Sequence, residues 1–96
     1  MNTIKLNNVT LELESYGRNT YFNGAEMESN ANCDVITSNI NALFELAQLP
    51  ITTLQIYHDN NLVYDLQDIN CVIASISEFF NGERMNISLS LKFTME

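Results

Sequence analysis

The chain has 96 residues, 46% of them hydrophobic, which predicts one globular, soluble domain spanning residues 1–96. Twelve acidic residues against four basic ones give a net charge of −8, and so few scattered cations predict no direct binding to nucleic acid. No apolar run approaches the ~20 residues of a membrane-spanning helix and no signal peptide is evident, so we expect neither a membrane partner nor secretion by that route.

The first predicted element is a β-hairpin near the N-terminus. Apolar and polar residues alternate on both sides of Asn7-Asn8, which is typical of an antiparallel sheet with one face in water. The predicted cross-strand pairs are Ile4 with Leu11 and Leu6 with Val9, and Leu13 continues the apolar face. The polar residues between them are expected to face solvent.

Residues 16–37 have a weaker pattern. The segment Tyr21–Glu26 predicts a short hairpin that turns at Asn23-Gly24, because both residue types accept left-handed backbone conformations. The alternation of Ala31, Cys33 and Val35 predicts a further strand. The topology of this segment stays open at the level of sequence.

An amphipathic helix is predicted over about residues 38–49. The residues that follow the spacing of one helical face are Ile40, Leu43, Phe44 and Ala47. Thr37 or Ser38 can cap the N-terminus, and Pro50 is typical of a helix end. We expect this helix to pack on one face of the sheet.

A second hairpin is predicted over residues 54–66. Alternation on both sides of Asp59-Asn60-Asn61 favours a three-residue loop in which Asn61 is left-handed. The predicted pairs are His58 with Leu62, Ile56 with Tyr64 and Leu54 with Leu66. A two-residue loop at Asn60-Asn61 would mix the two faces.

A third hairpin is predicted at the C-terminal end, turning at Asn81-Gly82 with a two-residue loop. That turn sets Phe80 opposite Glu83 and Glu78 opposite Met85. The predicted core face is Val72, Ala74, Ile76, Met85, Ile87, Leu89, Leu91 and Phe93. The resulting fold class is α+β: a mostly antiparallel sheet built from three β-hairpins, with the helix of residues 38–49 packed on it.

No motif predicts a catalytic site, a metal site, a cofactor or a small-molecule substrate. His58 is the only histidine, and a calcium-binding loop is not predicted at Asp59 because Tyr64 and Asn70 stand where such a loop needs glycine and glutamate. Cys33 and Cys71 are expected to be reduced, with a disulfide possible only if their strands are neighbours. We therefore expect the chain not to be an enzyme.

Two surfaces are candidates for binding a partner. Aromatic, apolar and arginine side chains on faces expected to be wet are typical of protein interfaces; they are Tyr16, Arg18, Tyr21, Phe22, Tyr57, Val63, Ile73 and Phe79. The alternative is that the helix and residues 16–37 cover these positions. A candidate acidic surface comprises Glu12, Glu14, Asp65 and Asp68.

Three segments, Ser15–Thr20, Ile51–Tyr57 and Phe80–Ser88, resemble those of small phage-encoded proteins, notably minor virion components. This resemblance implies a β-rich, non-enzymatic protein that binds a capsid or tail surface in many copies. It also implies that the protein resides in the host cytoplasm or in the virion.

The leading functional hypothesis is a structural or assembly protein that binds a protein partner or forms a homo-oligomer. The alternative is an acidic phage-encoded inhibitor, such as an anti-CRISPR, that occupies a basic nucleic-acid-binding surface. The two differ in salt dependence, because screening weakens contacts between charges far more than apolar contacts. A small hydrolase using His58 is a third, less favoured, hypothesis.

Overall fold

Alternating apolar and polar residues form an antiparallel sheet of seven strands in the computed structural model, which describes residues 1–94. The strands are β1 (Asn2–Leu6), β2 (Val9–Asn23), β3 (Glu26–Ile36), β4 (Leu54–His58), β5 (Asn61–Leu66), β6 (Cys71–Phe80) and β7 (Met85–Phe93), and the helix α1 spans Ile40–Leu46. Their order across the sheet is β5-β4-β1-β2-β3-β7-β6. The predicted α+β class with a dominant antiparallel sheet is confirmed.

The core lies on one face of this sheet. Its buried apolar side chains come from every strand except β5, and from α1 and Ile51. Ile51, ahead of β4, exchanges two backbone hydrogen bonds of 2.8 and 3.2 Å with Cys71, the first residue of β6. Because β4 and β6 belong to opposite sides of the sheet, this bridge means that the sheet curls until the two sides meet at one end.

The N-terminal hairpin has the predicted register, with Ile4 opposite Leu11 and Leu6 opposite Val9. Asn7 has a φ of 54°, and its side chain accepts a hydrogen bond of 2.9 Å from the backbone N–H of Thr52. The turn is therefore stabilised by the Asn conformation and by a contact to the segment that precedes β4.

β2 and β3 form a long hairpin that the sequence pattern did not predict at this length. The pairing runs from Glu12–Ile36 to Asn23–Glu26, and the loop residues are Gly24 and Ala25 rather than Asn23 and Gly24. Gly24 has a φ of 65°, which favours glycine there. The prediction of three hairpins was therefore incomplete.

A β-bulge at Glu14 changes which residues of β2 face the core. Leu13 pairs with Val35 before the bulge, and Tyr16 pairs with Cys33 after it. One extra residue shifts the alternation by one position, so the inward side chains after the bulge have even numbers. They are Tyr16, Arg18, Thr20 and Phe22.

The helix is shorter than predicted. Asn39, and not Thr37 or Ser38, is the N-cap, because its side-chain oxygen accepts a hydrogen bond from the backbone N–H of Ala42. Leu43 and Leu46 are buried, whereas the predicted core residue Phe44 is exposed. The helical face was therefore predicted only in part.

The β4–β5 hairpin keeps two of its three predicted pairs. Leu54 faces Leu66 and Ile56 faces Tyr64, but His58 pairs with Asn61 and not with Leu62. The loop consists of Asp59 and Asn60, whose φ values of 48° and 70° match a two-residue turn with both central residues left-handed. A bulge at Val63 restores the predicted alternation further along.

The strand register of the β6–β7 hairpin is shifted by two residues from the predicted register, which paired Phe80 with Glu83. Phe80 pairs with Met85 across a four-residue loop, in which the Asn81 side chain accepts hydrogen bonds from the backbone N–H groups of Glu83 and Arg84. A bulge at Ala74 then reverses the alternation. Ile73 is consequently in the core, and the predicted core residues Val72, Ala74 and Met85 are exposed.

Candidate functional site

The structure does not bring the eight predicted interface residues together on one surface. Tyr21 and Phe22 are exposed near the β2–β3 turn, and Val63 and Phe79 are exposed on opposite edge strands. Tyr57 is half-buried, and its hydroxyl donates a hydrogen bond of 3.0 Å to Gln55. Ile73, at 8% exposure, is a core residue, so the prediction that it faces solvent is wrong.

Apolar side chains are exposed at the end of the β6–β7 hairpin. Phe79 is 56% exposed, Phe80 64% and Met85 44%. The sequence pattern did not predict that Phe80 and Met85 are exposed. It predicted a two-residue loop, whereas the observed loop has four residues, and it placed Met85 in the core. The signal that was available is Asn81, since an Asn side chain commonly closes a wider loop by accepting backbone hydrogen bonds. Phe80 and Met85 are on the inner face of the hairpin and Phe79 is on its outer face, and we call the three residues together the hairpin-tip cluster.

The hairpin-tip cluster adjoins the longer of the two free sheet edges. β6 has ten residues, a single charged side chain, Glu78, and no lysine or proline. The other edge strand, β5, has six residues and carries Asp65, which accepts hydrogen bonds from Gln55 and Gln67. Natural proteins protect edges by making strands short, charged or bulged, and residues 75–80 of β6 have little of that protection.

A second cluster, on the inner face of the sheet, contains Arg18. Its Nη2 donates to the Ser29 hydroxyl over 3.0 Å, and its Nη1 lies 3.5 Å from the Tyr64 hydroxyl. The guanidinium carbon lies 4.3 Å from the centre of the Phe93 ring, which is cation–π geometry. Ser29 is buried and also shares a hydrogen bond of 2.9 Å with Thr20. We call Arg18, Thr20, Ser29 and Tyr64 the inner polar cluster.

Two polar atoms of this region are buried without a hydrogen-bond partner in residues 1–94: the Arg18 Nε and the Tyr16 hydroxyl oxygen. The Tyr16 and Tyr64 rings lie 5.5 Å apart at a tilt of 50°. Burial raises the pKa of Tyr16 well above its usual range, because the charged phenolate is poorly solvated there. Sequence reasoning placed Tyr16 and Arg18 on the surface because the bulge at Glu14 has no clear sequence signature.

A cleft of about 480 Å³ opens beside the inner polar cluster. It is lined by Arg18, Thr52, Asp68, Asn70, Phe93 and Thr94. Thr94 holds one wall through two hydrogen bonds to the Asn70 carbonyl, from its backbone N–H at 2.7 Å and from its hydroxyl at 3.2 Å. The cleft thus combines one cation, one carboxylate, neutral polar groups and an aromatic wall.

The four predicted acidic residues do not form one acidic patch. Glu14 forms a salt bridge of 2.7 Å with Arg84. In the strand register, Lys5 lies between the positions of Glu12 and Asp65 on the outer face. Asp68 stands apart from all three, in the segment before β6 at the cleft.

The histidine and the two cysteines lie on three different strands of the sheet. Cys33 and Cys71 are free and buried on strands separated by β7, and burial raises their pKa values to about 12 and about 11. His58 is exposed, with its Nδ1 2.6 Å from the Asn2 side-chain oxygen. Across the part of the chain that the structure describes, no group of three or more His, Cys, Asp or Glu side chains is placed to hold a metal ion.

Comparison of the chain with protein-family models, with curated proteins and with solved structures found no match. Among residues 1–94, no helix has the length and apolar character that crossing a membrane requires.

Proposed function

We propose that this chain is a non-enzymatic assembly protein in which β6 pairs with the β6 strand of a second copy. The observation that carries the proposal is the conjunction of the edge formed by residues 75–80 of β6 with the exposed hairpin-tip cluster. A phage particle is the assembly to which the sequence resemblance points.

The backbone of β6 supports the proposal. The bulge at Ala74 interrupts only the beginning of the strand, and residues 75–80 pair regularly with β7 on one side. An edge strand offers unpaired N–H and C=O groups on its other side, and a partner strand can bond to them. Pairing there would also bury part of Phe79 and Phe80, which are exposed in the single chain.

The side chains of β6 restrict the register of self-pairing. A two-fold axis at Ser77 sets Ser75 of one copy opposite Phe79 of the other, and Ile76 opposite Glu78. An axis at Glu78 would set two carboxylates against each other, which destabilises a strand pair. We therefore expect an antiparallel pair centred near Ser77.

The decisive measurement is the molar mass in solution, by light scattering across a concentration series. The wild-type protein is expected to reach twice its 10.9 kDa chain mass. Ser77→Lys, which puts a lysine on the edge and against its own copy, is expected to remain monomeric. The matched control is Ser90→Lys, which adds the same charge to the same face on the interior strand β7 and should still dimerise.

A second pair of variants tests the hairpin-tip cluster. Phe80→Ser should weaken the dimer, while Phe22→Ser, which removes an exposed phenylalanine from the other long hairpin, should not. A wild-type protein that stays monomeric at every concentration, or equal effects of the two variants in each pair, would contradict the proposal.

The acidic-inhibitor hypothesis has no comparable support, because the predicted acidic residues are dispersed and Glu14 is paired with Arg84.

A further inference from the structure

The positive charge of Arg18 lacks a carboxylate partner within residues 1–94. The salt bridges of that range involve Asp59 and Glu14, and neither contacts Arg18. Its hydrogen-bond partners are two hydroxyl groups, and one face of the guanidinium is covered by the Phe93 ring. A half-buried cation that has lost part of its hydration is stabilised by an anion, and the planar guanidinium fits a carboxylate particularly well.

The cleft beside Arg18 is large enough for a small molecule, because known ligand sites occupy roughly 300–1,000 Å³. Its walls are held by backbone contacts. Besides the bonds between Thr94 and Asn70, the backbone N–H of Ile69 donates to the Thr52 carbonyl over 3.0 Å. The lining segments, one ahead of β4, one ahead of β6 and one at the end of β7, are therefore tied together in the described structure.

Asp68 lines the same cleft as Arg18 and forms no salt bridge with it. A dianionic ligand such as phosphate would meet this carboxylate and the overall charge of −8, and both repel it. A ligand that carries a carboxylate at one end and an ammonium group at the other matches both charges. We propose that this cleft binds a small zwitterion of the amino-acid class, with its carboxylate on Arg18 and its ammonium group on the Asp68 side.

The wall residues suit such a ligand. The hydroxyl of Thr52 and the side-chain amide of Asn70 are neutral hydrogen-bonding groups that can satisfy the remaining ligand atoms. Ile69 and Phe93 supply the apolar part of the lining. The cleft lies apart from residues 75–80 of β6, so this inference does not depend on the proposed dimer.

Titration of the full 96-residue protein, followed by amide NMR shifts, tests the proposal. The probes are glycine and alanine as zwitterions, acetate as the carboxylate alone, methylammonium as the amine alone, and inorganic phosphate. We expect saturable shifts around Asn70, Phe93 and Thr94 with the two amino acids, weaker binding of acetate, and no binding of methylammonium or phosphate.

Protein variants test separately the contact of Arg18 with the ligand carboxylate and the contact of Asp68 with the ligand ammonium group. Arg18→Gln should weaken amino-acid binding by about tenfold or more, since a charge-assisted hydrogen-bonded pair is lost. Lys92→Gln is the matched control: it removes the same charge from the residue beside Phe93, on the outer face of β7, and should leave affinity unchanged. Asp68→Asn should remove the preference for glycine over acetate, because it removes the carboxylate that attracts the ammonium group and repels acetate.

Arg18→Lys keeps the positive charge and serves as a second variant in case Arg18→Gln does not fold. It should bind the amino acids more weakly than wild type, because lysine lacks the planar guanidinium. Glu96, which lies outside the described residues, follows Phe93 by three positions, so Glu96→Gln is titrated in parallel. Equal binding by wild type and Glu96→Gln supports the proposal. Binding that appears only in Glu96→Gln, shifts that Arg18→Gln leaves unchanged, or the absence of saturable shifts with any amino acid would overturn it.

Discussion

The two halves of β2 present different chemistry to the same side of the sheet. Before the bulge at Glu14, Leu11 and Leu13 point inward and form part of an apolar core. After it, Arg18 and Thr20 point inward and meet the hydroxyls of Ser29 and Tyr64. The bulge thus sets Tyr16 and Arg18, rather than Ser15 and Gly17, on the inner face of β2. Apolar packing stabilises the first half, and hydrogen bonds to a cation stabilise the second.

The largest expected difference between the halves comes from removing an apolar side chain from the first. Leu11→Ala should lower the free energy of unfolding by about 2–5 kcal/mol, because it removes buried surface and leaves a cavity. Thr20→Ala in the second half removes only a neutral hydrogen bond and should cost about 1 kcal/mol. Chemical denaturation measures both, and equal losses would contradict the distinction.

Ser29→Ala tests the second half directly. The change removes the acceptor of the 3.0 Å hydrogen bond from Arg18, so it should cost about 1.5–3 kcal/mol, the range for bonds to charged groups. Ser90→Ala, on the outer face of β7, is the control and should change stability by less than about 0.5 kcal/mol. If the two variants unfold at the same denaturant concentration, the inner polar cluster contributes little.

The dependence of folding stability on alkaline pH should also distinguish the two halves of β2. The pKa of Tyr16 is raised in the folded protein, so its contribution to stability is complete below the unfolded value near 10 and is lost as the pH rises above it. Tyr16→Phe should therefore reduce the loss of stability at alkaline pH.

Tyr21→Phe is the control for that experiment, since Tyr21 lies on the same strand but is exposed. Thermal unfolding measured from neutral to alkaline pH should give the same slope for Tyr21→Phe and wild type. A Tyr16→Phe protein with the wild-type slope would show that the Tyr16 hydroxyl titrates alike in the folded and unfolded chains.

The smallest expected effect concerns the bulge that separates the halves. Arg84→Gln breaks the 2.7 Å salt bridge to Glu14, the bulged residue, but both side chains are partly exposed. Such pairs contribute only about 0.2–1 kcal/mol, so the melting temperature should fall slightly. A loss as large as that of Leu11→Ala would mean that Arg84 is essential for the bulge itself.

The alternation of apolar residues predicted the fold class and the N-terminal hairpin, because no bulge interrupts the pairing of Ile4 and Leu6 with β2 across the two-residue turn. It failed where a strand contains a bulge. At Ala74 the bulge reverses the face of β6 and buries Ile73, and at Glu14 it turns Arg18 inward. A bulge sets two residues of one strand opposite one residue of its partner, so it belongs to the pairing of two strands and a single strand's sequence does not reveal it.

The inner polar cluster was unpredictable for the same reason. Its members come from three strands, and only the tertiary pairing brings Ser29 and Tyr64 to Arg18. The hairpin-tip cluster could have been predicted in part. The side chain of Asn81 indicates a wider loop, which shifts the register and exposes Met85.

The strand order has a consequence for the chain during synthesis. β3 pairs on one side with β2, its neighbour in sequence, but on the other side with β7, so that Ser29 meets Phe93. The ribosome therefore releases the long β2–β3 hairpin well before the strand that covers its free side, and pairings between such distant segments form slowly. Until β7 emerges, β3 keeps an unpaired edge beside Ala31, Cys33 and Val35, which are buried in the folded chain.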